Sequence, residues 1–132
     1  MKSYDLLVLG GGSAGFAAAI RAAEADKRVA MIEEGTMGGT CVNIGCVPSK
    51  TLIAAANTRH TALQPTFAGL NVGGTAVDWP AVMGQKTALV EELRQTKYAD
   101  VLAAYPQIDW YPGHGVIRST EPVTVQVGAE TL

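Results

Sequence analysis

The sequence predicts an α/β fold in which helices pack on a parallel sheet and small antiparallel strands follow. Three observations carry this. A short apolar run, Tyr4 to Leu9, stops at three glycines and reads as a buried parallel strand. An alanine-rich segment, Ser13 to Ala25, places Phe16, Ala19, Ile20 and Ala23 at helical spacing. A second apolar run, Arg28 to Glu33, completes a β-α-β unit of about thirty residues, for which a right-handed crossover is the rule.

The remaining elements follow in order. Residues 34–40 read as a loop. Cys41 to about His60 reads as mostly helical, with Gly45 and Pro48 disturbing its start. Residues 65–74 form a second loop. Asp78 is a good N-cap and Pro80 suits a first turn, so a long helix is expected from Trp79 to about Tyr105. Val82, Leu89, Leu93 and Val101 share one face of it, and the charged stretch Glu91, Glu92 and Arg94 is expected to be solvated. Ile108–Tyr111, Gly115–Arg118 and Val123–Val127 read as further strands. No closing helix follows, so the fold is expected to be incomplete at its C-terminus.

Composition bounds the function. The 132 residues suit one domain or part of one. Apolar residues make up 48 %, enough for a core. The net charge of −2 implies no basic face, which argues against nucleic acid as a partner. No apolar run approaches the roughly 18 residues of a membrane span, and the N-terminus lacks the pattern of a signal peptide. A cytoplasmic protein is the expectation. The 15 glycines exceed the usual share of roughly 7 %. They cluster at Gly10–Gly12, Gly38–Gly39 and Gly113/Gly115, as tight turns do.

Gly10-x-Gly12-x-x-Gly15 lies between the first strand and the first helix. In such a turn the first glycine bends the chain, the second admits a pyrophosphate and the third lets helix and strand pack closely. The helix N-terminus favours the anion. Glu33 ends the second strand 23 residues after Gly10, where a carboxylate can accept hydrogen bonds from a ribose. The expected site is therefore a Rossmann-like dinucleotide site. The motif alone does not separate NAD from FAD.

Gly38 to Lys50, G-G-T-C-V-N-I-G-C-V-P-S-K, holds the only cysteines, Cys41 and Cys46. Residues five apart on a regular helix have Cα atoms roughly 8–9 Å apart, too far for a disulfide. The segment must be distorted to oxidise, and Gly45 is placed to allow that. A strained disulfide is more readily reduced, which favours redox use over a structural bridge. Cys41, Cys46, His60 and His114 match the ligand count of a zinc site but not its common spacings. Lys50 lies one helical turn beyond Cys46, where a cation can stabilise a thiolate or a reduced, anionic cofactor.

Taken together, the L-G-G-G-S-A-G turn, Glu33 and the tract from Gly38 to Lys50 resemble the flavoprotein disulfide reductases. The resemblance covers essentially the whole chain. Val47 in G-C-V-P-S-K and E-L-R-Q-T-K-Y-A-D-V-L from Glu92 to Leu102 resemble the mercury(II)-reducing branch. The resemblance implies that residues 1–132 are the N-terminal part of an FAD-binding domain. Gly10, Gly12, Ser13, Ala14 and Gly15 would hold the pyrophosphate and Glu33 the adenosine ribose. Gly39, Thr40, Cys41 and Gly45 would continue along the cofactor, and His114-Gly115 would lie beside the adenine. Cys46 would be the thiol against the flavin, Cys41 the outer interchange thiol, and Lys50 would sit near the flavin ring. Both sulfurs would ligate Hg(II), a soft metal suited to thiolates. Electrons would pass from NADPH through FAD to the metal.

Family members are roughly three to four times longer. The second glycine fingerprint for NADPH, the later G-D segment of the FAD site, the dimerisation domain and the distal metal or acid-base pair have no counterpart here. The chain by itself is expected to hold FAD weakly and to oxidise no NADPH, with a homodimer expected of the complete enzyme. The alternatives are a dihydrolipoamide dehydrogenase or related reductase, a non-catalytic thiol-metal or flavin module, and a plain nucleotide-binding domain with incidental cysteines.

Overall fold

The computed structural model describes residues 2–70, 72–74 and 76–132. Strands β1 (Leu6–Leu9), β2 (Val29–Glu33) and β3 (Ile108–Pro112) form a parallel sheet in the order β1-β2-β3. Leu6 pairs with Val29, and Val29 with Ile108. The central strand is buried on both faces, with Val29 to Ile32 at most 1 % exposed, as its unbroken apolar run required. Helix α1 (Ser13–Ala23) crosses between β1 and β2 and buries Phe16, Ala19 and Ala23. It stops two residues before the sequence-based limit. Asp26 takes a positive φ of 56°, and the N–H groups of Asp26 and Lys27 turn back to the carbonyls of Ala23 and Ala22.

The expected single helix from Cys41 divides. Helix α2 (Gly39–Asn43) begins inside the segment read as a loop, and α3 (Cys46–Leu63) starts after a break at Ile44 and Gly45. Helix α4 (Trp79–Arg94) has the predicted cap: the Asp78 carboxylate accepts from the Ala81 N–H at 3.0 Å. The expected helix to Tyr105 is interrupted by one π-helical turn, Gln95–Ala99, before α5 (Asp100–Ala104). The loop over 65–74 includes Asn71, which lies outside the described residues.

A small antiparallel sheet, β4 (Gly115–Thr120), β5 (Val123–Val127) and β6 (Glu130–Thr131), ends the chain. The closing pair β5–β6 was not anticipated, because two residues carry no periodicity. Two apolar layers flank the parallel sheet. Phe16, Ala19 and Ala23 pack with Val8, Val29, Met31 and Ile108 on one face. Val125, Val127 and Leu132 cover Ala30, Ile32 and Tyr111 on the other. Helix α3 buries no residue fully and leans on α4 instead. The carboxyl ends of β1 and β2 thus meet the N-terminus of α1, the placement at which open α/β sheets bind ligands.

Candidate active site

β1 ends in a turn whose first residue, Gly10, has φ +116°. Gly12 is the N-cap of α1, with no side-chain cap and no acidic residue in the first turn. The N–H groups that open a helix have no partner within it. Here neither cap nor carboxylate takes their place, so the end of α1 is left open to an anion. The packing that brings α1 in close is backbone on backbone. A Cβ at Gly15 would strike the Gly10 carbonyl oxygen and lie 3.1 Å from Val8 Cγ1.

The second glycine cluster interlocks with the first. Gly38 donates its N–H to the Gly11 carbonyl at 2.8 Å, and Gly12 and Gly38 form an isolated β-bridge. Gly39 has φ +64°, and a Cβ there would sit 2.9 Å from Gly12 Cα. The cysteine-bearing helix α2 therefore starts directly against the anion turn. Glu33, at the end of β2, braces the same region. One carboxylate oxygen accepts from the Gly11 N–H at 2.5 Å, the other from the Gly35 N–H at 2.7 Å. Each oxygen keeps a further lone pair for a ligand hydroxyl. Glu33, Gly39, Thr40 and Asn43 line a cleft of about 230 Å³ between these loops.

Cys41 lies in α2 and Cys46 opens α3; both are free and exposed. The break between the helices makes the two thiols neighbours. The Cys46 thiol, with burial second, pushes the Cys41 thiol above the usual range, while the Cys46 backbone N–H and then the Lys50 ammonium act the other way. Gly45 makes the break possible: its N–H donates to the Thr40 carbonyl at 2.7 Å. A Cβ there would lie 2.9 Å from that oxygen and 3.3 Å from Cys41 Cα. Cys46 sits at the N-terminal end of α3, which has no acidic residue in its first turn. Helix N-termini favour negative charge.

Three side chains that the sequence did not single out hold this arrangement. Asn43 donates to the carbonyls of Gly39 at 2.8 Å and Met37 at 3.0 Å, clasping α2 to the preceding loop. Its own carbonyl oxygen accepts from Arg94 Nε at 2.8 Å. Arg94 is therefore half-buried and engaged, which corrects the expectation of a solvated charge. Tyr98, within the π-helical turn, packs edge-on against Phe16 with ring centroids 4.9 Å apart. Its hydroxyl reaches Ser13 Oγ at 2.9 Å. Their spacing in a helix gives no hint of partners on α1 and α2, although the tract that holds both stood out in the sequence.

His114 joins Glu34 at 2.6 Å, and the Gly113 N–H donates to the Glu33 carbonyl at 2.8 Å. The His114-Gly115 segment therefore stands beside the end of β2. Lys50 lines a different space, the apolar groove of about 1070 Å³ between α3 and α4. This groove, larger than the 230 Å³ cleft, contains neither the glycine turn nor the thiols. Among the described residues no group of three or more His, Cys, Asp or Glu could hold a metal. None of their helices is long and apolar enough to cross a membrane.

Comparison with known proteins agrees with this geometry. The family model described as pyridine nucleotide-disulphide oxidoreductase matches residues 4–131. The chain is 50 % identical over 130 residues to a mercuric reductase of Lysinibacillus sphaericus, covering 98 % of this chain and 23 % of that protein. It is 48 % identical over 125 residues to a mercuric reductase of Streptomyces lividans, covering 94 % of this chain and 26 % of that one. A dihydrolipoyl dehydrogenase of Chlamydia pneumoniae is 43 % identical over 130 residues, with 98 % of this chain and 28 % of that protein covered. Among solved structures, the HOCl-induced flavoprotein disulfide reductase RclA from Escherichia coli superimposes with a TM-score of 0.78 at 30 % identity. That match covers 98 % of this chain and 26 % of RclA. The chain thus spans about a quarter of the length of these relatives. With the family model matched over residues 4–131, the chain belongs to the pyridine nucleotide-disulphide oxidoreductase family.

Proposed function

We propose that the chain supplies the flavin turn and the redox thiols of a longer, homodimeric enzyme that reduces Hg(II) to Hg(0) with NADPH. The observation that carries this is the juxtaposition of an uncapped helix N-terminus, Glu33 and two neighbouring free thiols. The residues fit FAD. The first turn of α1 has N–H groups for a pyrophosphate, Gly12 leaves space above it, and Glu33 has lone pairs for a ribose.

Gly10, Gly12, Ser13, Ala14 and Gly15 would hold the pyrophosphate, Glu33 the ribose, and Gly39, Thr40 and Gly45 the path toward the thiols. His114-Gly115 would lie on the adenine side. Bound there, FAD would supply two-electron transfer between NADPH and the sulfur pair. Cys46 would be the thiol on the flavin side and Cys41 would exchange with the substrate. The neighbouring Cys46 thiol holds the Cys41 thiol above the usual range, so Cys41 keeps its proton to higher pH than an ordinary thiol. Lys50 adds positive charge near the Cys41 sulfur. Two soft sulfurs on adjoining helix ends form a two-coordinate seat for Hg(II). The net reaction balances as NADPH plus Hg(II) giving NADP⁺, H⁺ and Hg(0).

The sequence tract Leu93-Arg94-x-x-Lys97-Tyr98 and the identities of about a half support mercury over lipoamide. The test is a substrate comparison on the complete, FAD-loaded polypeptide. NADPH-dependent release of Hg(0) vapour, lost in Cys41→Ala, is the expected result. Reduction of lipoamide without Hg(0) release would move the assignment to the dihydrolipoyl dehydrogenases.

A further inference from the structure

Tyr98 is a positioning residue whose place in the structure exceeds what packing requires. It is carried on the single π-helical turn, Gln95–Ala99, between α4 and α5. A π turn inserts one extra residue into a helix and shifts the side chains it carries out of the α-helical register. From within this turn the phenol reaches the N-terminus of α1. Two contacts fix the ring: Phe16 packs edge-on at 4.9 Å and 88°, and Gly38 lies so close that a Cβ there would be 3.2 Å from Tyr98 Cδ2. The hydroxyl then lies 2.9 Å from Ser13 Oγ, on the first residue of α1.

We infer that Tyr98 and Ser13 form a donor relay aimed at the anion bound by α1, in which Tyr98 sets the direction of the Ser13 proton. A phenol is the stronger acid of the two hydroxyls, so Tyr98 donates and Ser13 Oγ accepts. A serine hydroxyl has one proton and two lone pairs. With one lone pair taken by Tyr98, its own proton is left for a phosphate oxygen, and accepting one hydrogen bond strengthens the one it donates. The relay rests on the reading of the turn as a dinucleotide site. The same short stretch also carries Arg94, which holds Asn43 and through it α2. One segment therefore fixes both the anion turn and the thiol helix.

The experiment is a double-mutant cycle on the complete polypeptide, stripped of flavin and titrated with FAD by fluorescence quenching. Tyr98→Phe removes only the hydroxyl and keeps the ring against Phe16 and Gly38. It is expected to weaken FAD binding about threefold to tenfold, the range of one hydrogen bond. In the Ser13→Ala background the same change is expected to cost less than about twofold. ³¹P spectra of bound FAD supply a readout that packing alone would not move: Tyr98→Phe and Ser13→Ala should displace the same pyrophosphate resonance. Equal losses in both backgrounds, or an unmoved resonance, would overturn the relay while leaving the dinucleotide site standing. Failure of the unmutated polypeptide to take up FAD would remove both.

Discussion

The break between α2 and α3 sets the distance between the thiols, and Gly45→Ala tests it. The added Cβ would lie 2.9 Å from the Thr40 carbonyl oxygen and 3.3 Å from Cys41 Cα. Contacts this short force the joint open by a few tenths of an ångström, because both neighbours are backbone. Overpacking of this kind costs about 1–3 kcal/mol. Loss of the 2.7 Å hydrogen bond from the Gly45 N–H to the Thr40 carbonyl adds about 0.5–1.5 kcal/mol. The sum, about 1.5–4.5 kcal/mol, falls on the segment that holds Cys41 beside Cys46. Every 1.4 kcal/mol is a factor of ten in the population of the facing geometry. The assay has two parts: urea unfolding of the reduced protein, and the rate of disulfide closure in a defined thiol-disulfide buffer. The control is Gly84→Ala within α4, where a Cβ meets nothing within 4 Å. That change should raise stability by up to about 1 kcal/mol through helix propensity and leave disulfide closure alone. Reduced stability with slowed closure in Gly45→Ala alone is the expected pattern. Closure at the parental rate in Gly45→Ala would refute the reasoning.

Three further predictions follow from named contacts. Lys50→Gln removes a cation that lowers the Cys41 thiol pKa, so the pH midpoint of Cys41 alkylation should move upward; an unchanged or lower midpoint counts against the assigned charge effect. Arg94→Ala leaves the Asn43 carbonyl oxygen without its partner and should cost about 1–3 kcal/mol in thermal or urea unfolding, whereas a solvated arginine would cost nothing. Tyr4 donates to Asp109 and shares a hydrogen bond with Tyr111, and burial followed by these bonds raises its pKa. A raised folded-state pKa gives stability that is present below the unfolded value of about 10 and is lost as pH rises past it. Alkaline denaturation should therefore steepen above that pH, and Tyr4→Phe should remove this component.

The β-α-β unit was legible because its signals are local. A buried strand reads as an apolar run, and α1 as an apolar stripe. Glu33 was found by its spacing from Gly10, and the Asp78 cap by residue type. The two cysteines stand out by type and spacing, and the need for a distorted joint between them follows from helix geometry. What escaped the sequence depends on contacts between distant segments. Asn43 is an ordinary polar residue until Gly39, Met37 and Arg94 surround it. Arg94 reads as solvated beside Glu91 and Glu92, because nothing in its own helix shows that α2 lies opposite. The π-helical turn has no compositional mark, and the two-residue strand β6 exists only because β5 pairs with it. Gly38 and Gly39 read as turn residues. Their close approach to Gly11 and Gly12 is visible only once both turns are in place.

The central claim is that Cys46 faces the flavin and Cys41 the substrate. The most direct measurement is the absorption spectrum of the complete, FAD-loaded polypeptide after two-electron reduction, in the parent, in Cys41→Ala and in Cys46→Ala. The account predicts a long-wavelength thiolate-to-flavin charge-transfer band in the parent, kept in Cys41→Ala and abolished in Cys46→Ala. A band that survives in Cys46→Ala and disappears in Cys41→Ala would contradict it.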